Sequence, residues 1–266
     1  VISMDEDPLK AVRSKKEASI SGCMQLLKEK KVEAVFSAGS TGATLISAIT
    51  ILGKQKGVIR PAIASVLPTV DRSVILLDSG ASLDVKPKVL FQFAVMGSKL
   101  AEALFDLEYP KIGLLNNGEE ESKGRELEKS AFKLLNSSSL NFVGNVEGRD
   151  FATTKVDVFV TDGFTGNIVL KTLEGTAKLQ QNLISDSFKQ NLFKPFLPSV
   201  KKALKPVKDQ LNPDKTNASY LLGVDGLVTI GHGSSKQEAI MNGINYTNES
   251  INKDFIGKFS DAIREL

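Results

Sequence analysis

The sequence predicts an α/β protein with a mostly parallel sheet covered by helices on both faces. Three observations lead there. Short β-rich runs alternate with helical patterns along the 266 residues. The runs are near-continuous in apolar residues, as expected of strands buried on both faces. The chain is 41% hydrophobic and 24% charged. That composition, at this length, suits one sizeable core, and residues 1–266 read as a single α/β domain.

The elements follow in order. Residues 14–30 read as a helix with Ile20, Met24 and Leu27 on one face. Cys23 lies among apolar residues in that pattern and is expected to pack in the core. Strands are expected at VEAVFS (32–37), AIASVL (62–67) and SVILLD (73–78). A helix over 88–105 then carries Leu90, Phe93, Ala94, Gly97 and Ala101. KIGLLN (111–116) is the next strand, followed by a helix over 122–135. NFVGNV (141–146) and VDVFVT (156–161) are two more strands, followed by a helix over 166–183. GLVTI (226–230) is the last strand, and a helix follows Ser235.

In such sheets ligands bind beyond the carboxyl ends of the strands. Five of those ends carry Gly together with short polar or acidic residues: AGSTGAT (38–44), SGASLDVKP (79–87), NGEEESKG (117–124), EGRD (147–150) and DGFTGN (162–167). Each alone is an ordinary turn, because Gly and Asn suit tight turns and Ser or Thr cap helices. Five at one edge of one sheet point to a phosphate or oxyanion site, since small residues let backbone N–H groups approach an anion. SAGSTGAT lacks the lysine of a P-loop and does not fit the dinucleotide fingerprint, so no nucleotide is implied.

Composition excludes several classes. There is no Trp and only 6% of residues are aromatic, so a base-stacking nucleic-acid surface is not expected. One cysteine precludes an internal disulfide, and one histidine argues against a His-rich metal site. The opening VISMDEDPLK lacks a signal-peptide pattern, and no apolar run approaches the roughly 20 residues of a membrane span. A cytoplasmic protein is the expectation.

The motifs AVRSKKEAS, SAGSTGA, RPAIASVLPT, LLDSGASLDVKP, GLLNNGEEESKGREL, NFVGNVEGRD, VTDGFTGNIVLKTLEG and GHGSS, in that order, resemble the phosphate acyltransferases of bacterial phospholipid synthesis, the PlsX type. The resemblance runs from about Val1 to about Ser235. It implies an α/β/α sandwich related to isocitrate and isopropylmalate dehydrogenases. It also implies a homodimer that works in the cytoplasm and touches the membrane peripherally. The implied reaction is attack of inorganic phosphate on the thioester of a long-chain acyl group held by acyl-carrier protein. Phosphate is itself the nucleophile, so no cofactor is implied. The acidic GEEES (118–122) is a candidate Mg²⁺ binder, but the reaction does not require a metal and none is assigned.

By resemblance, Lys123 and Asn167 are the leading catalytic pair. Lys171, one turn beyond Asn167, is a source of positive charge. His232, between glycines, is either a structural hydrogen bonder or an acid for the departing thiolate. The alternative for Lys123 is an ion pair with Glu119, Glu120 or Glu121; for Asn167, a hydrogen bond near the helix N-cap; for Lys171, a solvated face. Candidate phosphate contacts are Ser37, Gly39, Ser40, Thr41 and Gly42 after the first strand, with Asp78 and Ser82 after the third. Asn116, Asn145, Asp162, Gly163 and Gly166 complete the set.

Three departures from the family pattern stand out. The chain has no counterpart of the family's opening strand and Gly-Gly-Asp loop, so an incomplete amino-terminal part is expected. Ser40 and Ser82 stand where Asn is usual. NASYLLGVDG (217–226) replaces a Gly-Gly-containing loop. Residues 184–216 read as a helical excursion facing membrane or partner; FKQNLFKPFLPSVKKALKPVKDQL (188–211) combines Phe, Leu and Val with six Lys and three Pro. Two alternatives to the acyl-carrier-protein reaction remain: a phosphotransacetylase-like enzyme acting on acyl-CoA, and a weakly catalytic phosphate- or acyl-binding homologue.

Overall fold

The computed structural model describes residues 1–153, 155–189, 218–233 and 235–252, with a few isolated positions elsewhere. Its eight-stranded sheet comprises β1 (Ala34–Ser37), β2 (Ala62–Pro68), β3 (Ser73–Leu77), β4 (Ile112–Leu115), β5 (Phe142–Val146), β6 (Val158–Val160), β7 (Ser219–Leu222) and β8 (Leu227–Ile230). The spatial order is β1-β8-β7-β2-β3-β6-β4-β5. Neighbours pair in parallel in β1–β8 and throughout β3–β6–β4–β5. The joins β8–β7, β7–β2 and β2–β3 are antiparallel. The sheet is therefore mostly parallel, but its two parallel blocks point in opposite directions.

That reversal corrects one expectation. The loop after β1 does not share an edge with the loops after β3, β4, β5 and β6, because β1 runs the other way. The sequence hides this because antiparallel β7 reads as loop. NASYLLGVDG, with its Asn, Asp and two Gly, instead contains β7 and a turn into β8. Gly223 and Gly226 supply positive φ at that turn, while Tyr220, Leu221 and Leu222 are buried.

The helices are α1 (Pro8–Ser14), α2 (Ser19–Lys28), α3 (Thr41–Ser47) with a π-helical turn over Ala48–Leu52, α4 (Pro87–Phe105), α5 (Glu126–Asn136), α6 (Gly163–Lys189) and α7 (Gln237–Asn252). The helix expected over 14–30 splits at residues 15–18. Within α2, Met24 and Leu27 are buried as expected. Cys23 is exposed, against expectation. It sits one residue, about 100° of helix rotation, from Met24, which turns it off the core face. AGSTGAT is a loop only as far as Ser40, whose side chain caps α3 by accepting from the Ala43 N–H at 3.3 Å. The excursion expected over 184–216 starts inside α6, and most of the rest lies outside the described residues.

Alternate strand residues enter cores on opposite faces. Ile75 and Leu77 join Leu90, Phe93 and Ala94 of α4, with Ala131 and Leu135 of α5 in the same core. Val74 and Leu76 face the other way, toward Phe151, Val169 and Leu170. Near β1 and β8 that second face is closed by Met24, Leu27, Ala48 and Leu52. Helices thus cover both faces, giving three layers. Burying both faces is what demands near-continuous apolar strands.

Helix α6 is seated by contact too close for any side chain. A Cβ on Gly166 would lie 1.8 Å from the Asp78 carbonyl oxygen, and one on Gly163 would lie 2.7 Å from the Asp78 carboxylate. Gly175, further along the helix, has nothing within 4 Å of an added Cβ. Gly166→Ala should therefore destabilise the protein by at least about 2 kcal/mol. Gly175→Ala should stabilise it by about 0.5–1 kcal/mol, the usual helix-interior gain. Thermal melting of both variants checks the pair; equal effects would contradict the seating.

Candidate active site between the two blocks

Antiparallel strands join without crossover helices, so β2 and β7 bring no helix of their own to cover them. Over them, between α3 and α6, lies a cavity of about 800 Å³. Its floor is formed by Ile63, Ser65 and Leu67 of β2, alternating onto one face, with Ser219 and Ile230 beside them. One wall is the start of α3, with Gly39, Thr41, Gly42 and Leu45. The opposite wall is α6, with Asn167, Leu170, Lys171, Leu173, Glu174 and Ala177. Gly231, His232 and Gly233 leave β8 into the same space, and Met4 reaches it from the amino-terminal segment.

The register explains how two oppositely directed blocks meet there. Ser37 pairs with Ile230, and Ile230 with Ser219. The carboxyl ends of β1 and β8 therefore lie level with the start of β7, beside Ser65 of β2. Ser65 pairs with Leu76, one residue from the end of β3.

Of the predicted residues, the cavity gathers Gly39, Thr41, Gly42, Asn167, Lys171 and His232. Lys171 Nζ is 2.8 Å from Glu174 Oε2 and 3.4 Å from His232 Nε2. Asn167 donates to the Ser79 carbonyl at 3.3 Å. Ser40 caps α3, and Ser37 Oγ lies 3.0 Å from Thr44 Oγ1. Both stand beside the cavity as supports of its α3 wall.

Asp78 organises the other wall. Its buried carboxylate accepts N–H groups from Ile63 at 3.0 Å, Gly80 at 3.0 Å, Ala81 at 2.9 Å and Ser82 at 2.7 Å. Burial pushes this carboxyl above its ordinary range, and the four N–H groups pull against that shift. Ser82 also returns its carbonyl to the Gly163 N–H at 2.8 Å, and its hydroxyl donates to the Pro61 carbonyl at 3.3 Å. Asp78, Ser82, Gly163 and Gly166 are thus the joint between β2, β3 and α6.

Lys123 is on the acidic turn, half exposed, 3.9 Å from Glu120. It is not part of the cavity lining. Asn116 donates to the Lys123 carbonyl at 3.3 Å and Asn145 to the Glu120 carbonyl at 2.8 Å, so both hold that turn. The turn docks on α6 through Arg125, whose Nη2 is 2.6 Å from Asp162 Oδ2 and which also pairs with Glu128. Asp162 in turn caps α6, accepting the Thr165 N–H at 2.8 Å and its hydroxyl at 2.9 Å. Sequence reasoning missed Arg125. Its signal, a basic residue two positions after Lys123 in ESKGREL, was present but unread.

It also missed three serines. Ser65 Oγ lies 2.7 Å from Ser79 Oγ and 2.9 Å from Ser219 Oγ, and all three line the cavity. A polar residue on the buried face of an apolar strand was the available signal for Ser65.

Asp162 gives a pH test. Burial raises its carboxyl, but the Thr165 N–H, the Arg125 guanidinium and the Thr165 hydroxyl outweigh burial and hold it below its ordinary value. A depressed carboxyl contributes stability above its unfolded pKa of roughly 3.9, and that contribution is lost as pH falls through the lower folded value. Asp162→Asn should cost about 2 kcal/mol at neutral pH. The gap between variant and parent should close in acid below pH ~4. Melting curves across pH check this; a gap constant down to the lowest pH would refute it.

Comparison with known proteins identifies the family and the fold. Residues 1–258 match the profile of the family described as fatty acid synthesis protein. The chain is 42% identical over 273 residues to the phosphate acyltransferase of Elusimicrobium minutum, spanning 100% of this chain and 78% of that protein. It is 44% identical over 258 residues to the phosphate acyltransferase of Desulfitobacterium hafniense (strain DSM 10664 / DCB-2), spanning 96% and 77%. Among solved structures, a phosphotransacetylase from Streptococcus pyogenes shares the fold at TM-score 0.57 and 16% identity, over 94% of this chain and 76% of that one. The EutD phosphotransacetylase from Staphylococcus aureus does so at TM-score 0.53 and 15% identity, over 97% and 75%. The chain belongs to the fatty acid synthesis protein family and, with its relatives, is an acyltransferase that uses phosphate as acceptor.

Proposed function

We propose that the cavity between α3 and α6 is where inorganic phosphate attacks the thioester of a long-chain acyl group carried by acyl-carrier protein. A phosphate oxygen adds to the thioester carbonyl carbon. The tetrahedral oxyanion collapses, the carbon–sulfur bond breaks, and acyl phosphate and free thiol leave. The observation that carries this reading is the juxtaposition of Lys171, His232 and Asn167 with Gly39–Gly42 at the start of α3, above a floor that mixes apolar and hydroxyl residues. The cationic and amide groups suit phosphate and oxyanion; Leu67, Leu170 and Leu173 suit an acyl chain.

In this reading Asn167 donates to the developing oxyanion and Lys171 neutralises phosphate. His232 supplies a proton to the sulfur or holds Lys171 in place. Lys123 acts from the neighbouring turn, which the Arg125–Asp162 ion pair docks onto α6. The choice of a carrier protein rests on the basic residues between 194 and 208. It rests also on an exposed apolar stripe along α6, comprising Phe164, Ile168, Leu179 and Leu183. The same stripe supports the proposal of a homodimer with peripheral membrane contact. The fold shared with phosphotransacetylases favours acyl-CoA as a second donor to test.

The test is free-thiol release from long-chain acyl-carrier protein and from acyl-CoA, with and without phosphate. Phosphate-dependent release, faster from the carrier protein, is expected; release independent of phosphate would sink the reading. Asn167→Ala and Lys171→Ala should each lower kcat by roughly 10²-fold, the usual loss of one oxyanion donor. Lys123→Ala should fall in the same range. Wild-type rates in all three would move the chemistry elsewhere.

A further inference from the structure

We infer that the hydroxyl chain Ser219–Ser65–Ser79 on the cavity floor is a subsite for an amide N–H on the thiol arm of the acyl donor. The inference rests on the acyl-transfer reading above. It follows from the direction in which the three protons must point. Ser79 Oγ is 3.0 Å from the Ile63 carbonyl oxygen, which can only accept, so the Ser79 proton lies between them. The opposite sense would leave two oxygens at that distance with no proton between. Ser65 lies 2.7 Å from Ser79 and must then donate to it. Ser219, 2.9 Å from Ser65, must donate in turn.

All three protons are spent inside the floor. Among the described residues nothing donates to Ser219 Oγ; all three residues line the cavity, and Ser219 is the least buried of them. This part of the site therefore offers lone pairs and no donor. Phosphate is an anion and the thioester carbonyl has no proton to give, so neither suits a surface of lone pairs. They suit the Lys171–His232 pair, which supplies the cationic group of the cavity. A group that donates is the complement, and an acyl thioester on a carrier arm has such a group in its amide bonds. Ile63 and Leu67 lie beside Ser65 on the same face of β2, so apolar surface flanks the contact, which sharpens discrimination against a group without a proton.

The experiment uses carrier protein loaded with two acyl thioesters. One has the natural amide-containing arm. In the other, the amide nearest the thiol is replaced by an ester, which removes the N–H and little else. The wild-type protein should prefer the amide donor by roughly three- to tenfold in kcat/KM, the range of one net hydrogen bond. Ser219→Ala should use both donors alike. Ser65→Ala, which keeps the Ser219 oxygen but frees its proton, should show a reduced preference. Ser219→Cys, with its weak acceptor, replaces Ser219→Ala if that variant loses its melting transition. A preference retained in the Ser219 variant, or no preference in the wild type, overturns the inference alone. A Ser219 variant that raises the KM for phosphate and leaves donor preference intact also overturns it. No phosphate-dependent release from either donor in the wild type overturns the acyl-transfer reading together with it.

Discussion

A carboxylate taken out of water must be surrounded by donors, and the position of Asp78 makes that requirement organise the site. Leaving such a group unpaired would cost several kcal/mol. Its donors come from β2 and from the turn after β3, so one side chain ties two strands and a loop together. The same turn receives the first residues of α6 against backbone, where only glycine fits at 163 and 166. Asn167 and Lys171 follow on that helix. Their height above the floor of β2 is consequently set by the seat that Asp78 organises, to which Asn167 adds its bond to the Ser79 carbonyl.

The second determinant is the reversal of strand direction at β2 and β7. In a sheet of one direction throughout, crossover helices would cover the middle strands. Here helices cover the two blocks and leave a trough between them. The reaction proposed for it joins a small dianion to a long apolar chain, which needs polar and apolar surface within one cavity. The trough supplies both, because its walls come from helix starts and its floor from alternating strand residues. The acidic turn with Lys123 is outside the trough but is fastened to its α6 wall through Arg125 and Asp162.

Much of this was legible in the residues. Apolar runs located seven strands, since strands buried on both faces have no polar alternation to blur them. Leu90, Phe93, Ala94, Gly97 and Ala101 marked the buried face of α4 correctly. The motif order identified the family. What failed did so for physical reasons. β7 is short and flanked by Asn, Gly and Asp, so turn chemistry masked a buried strand. Without it the reversal was invisible, and five loops were placed on one edge. Cys23 is apolar by type, but helix rotation turned it outward. The serine chain could not be read because its members lie on three elements, and only pairing across β2 and β7 brings Ser65 to Ser219. Asn116 and Asn145 carry the right chemistry for anion binding, yet in the structure their amides hold the acidic turn.

The pairing of β1 with β8 also bears on how the molecule assembles. Ala34 meets Leu227, a separation of nearly two hundred residues (227 − 34 = 193), while β3, β4, β5 and β6 pair over much shorter spans. Loop closure grows costlier with span, and distant pairings form late. During synthesis the α6 wall can therefore settle on its block while the β1–β8 block still waits for its last strand to leave the ribosome. The α3 wall and His232 arrive together, so the trough closes only once β8 has been made.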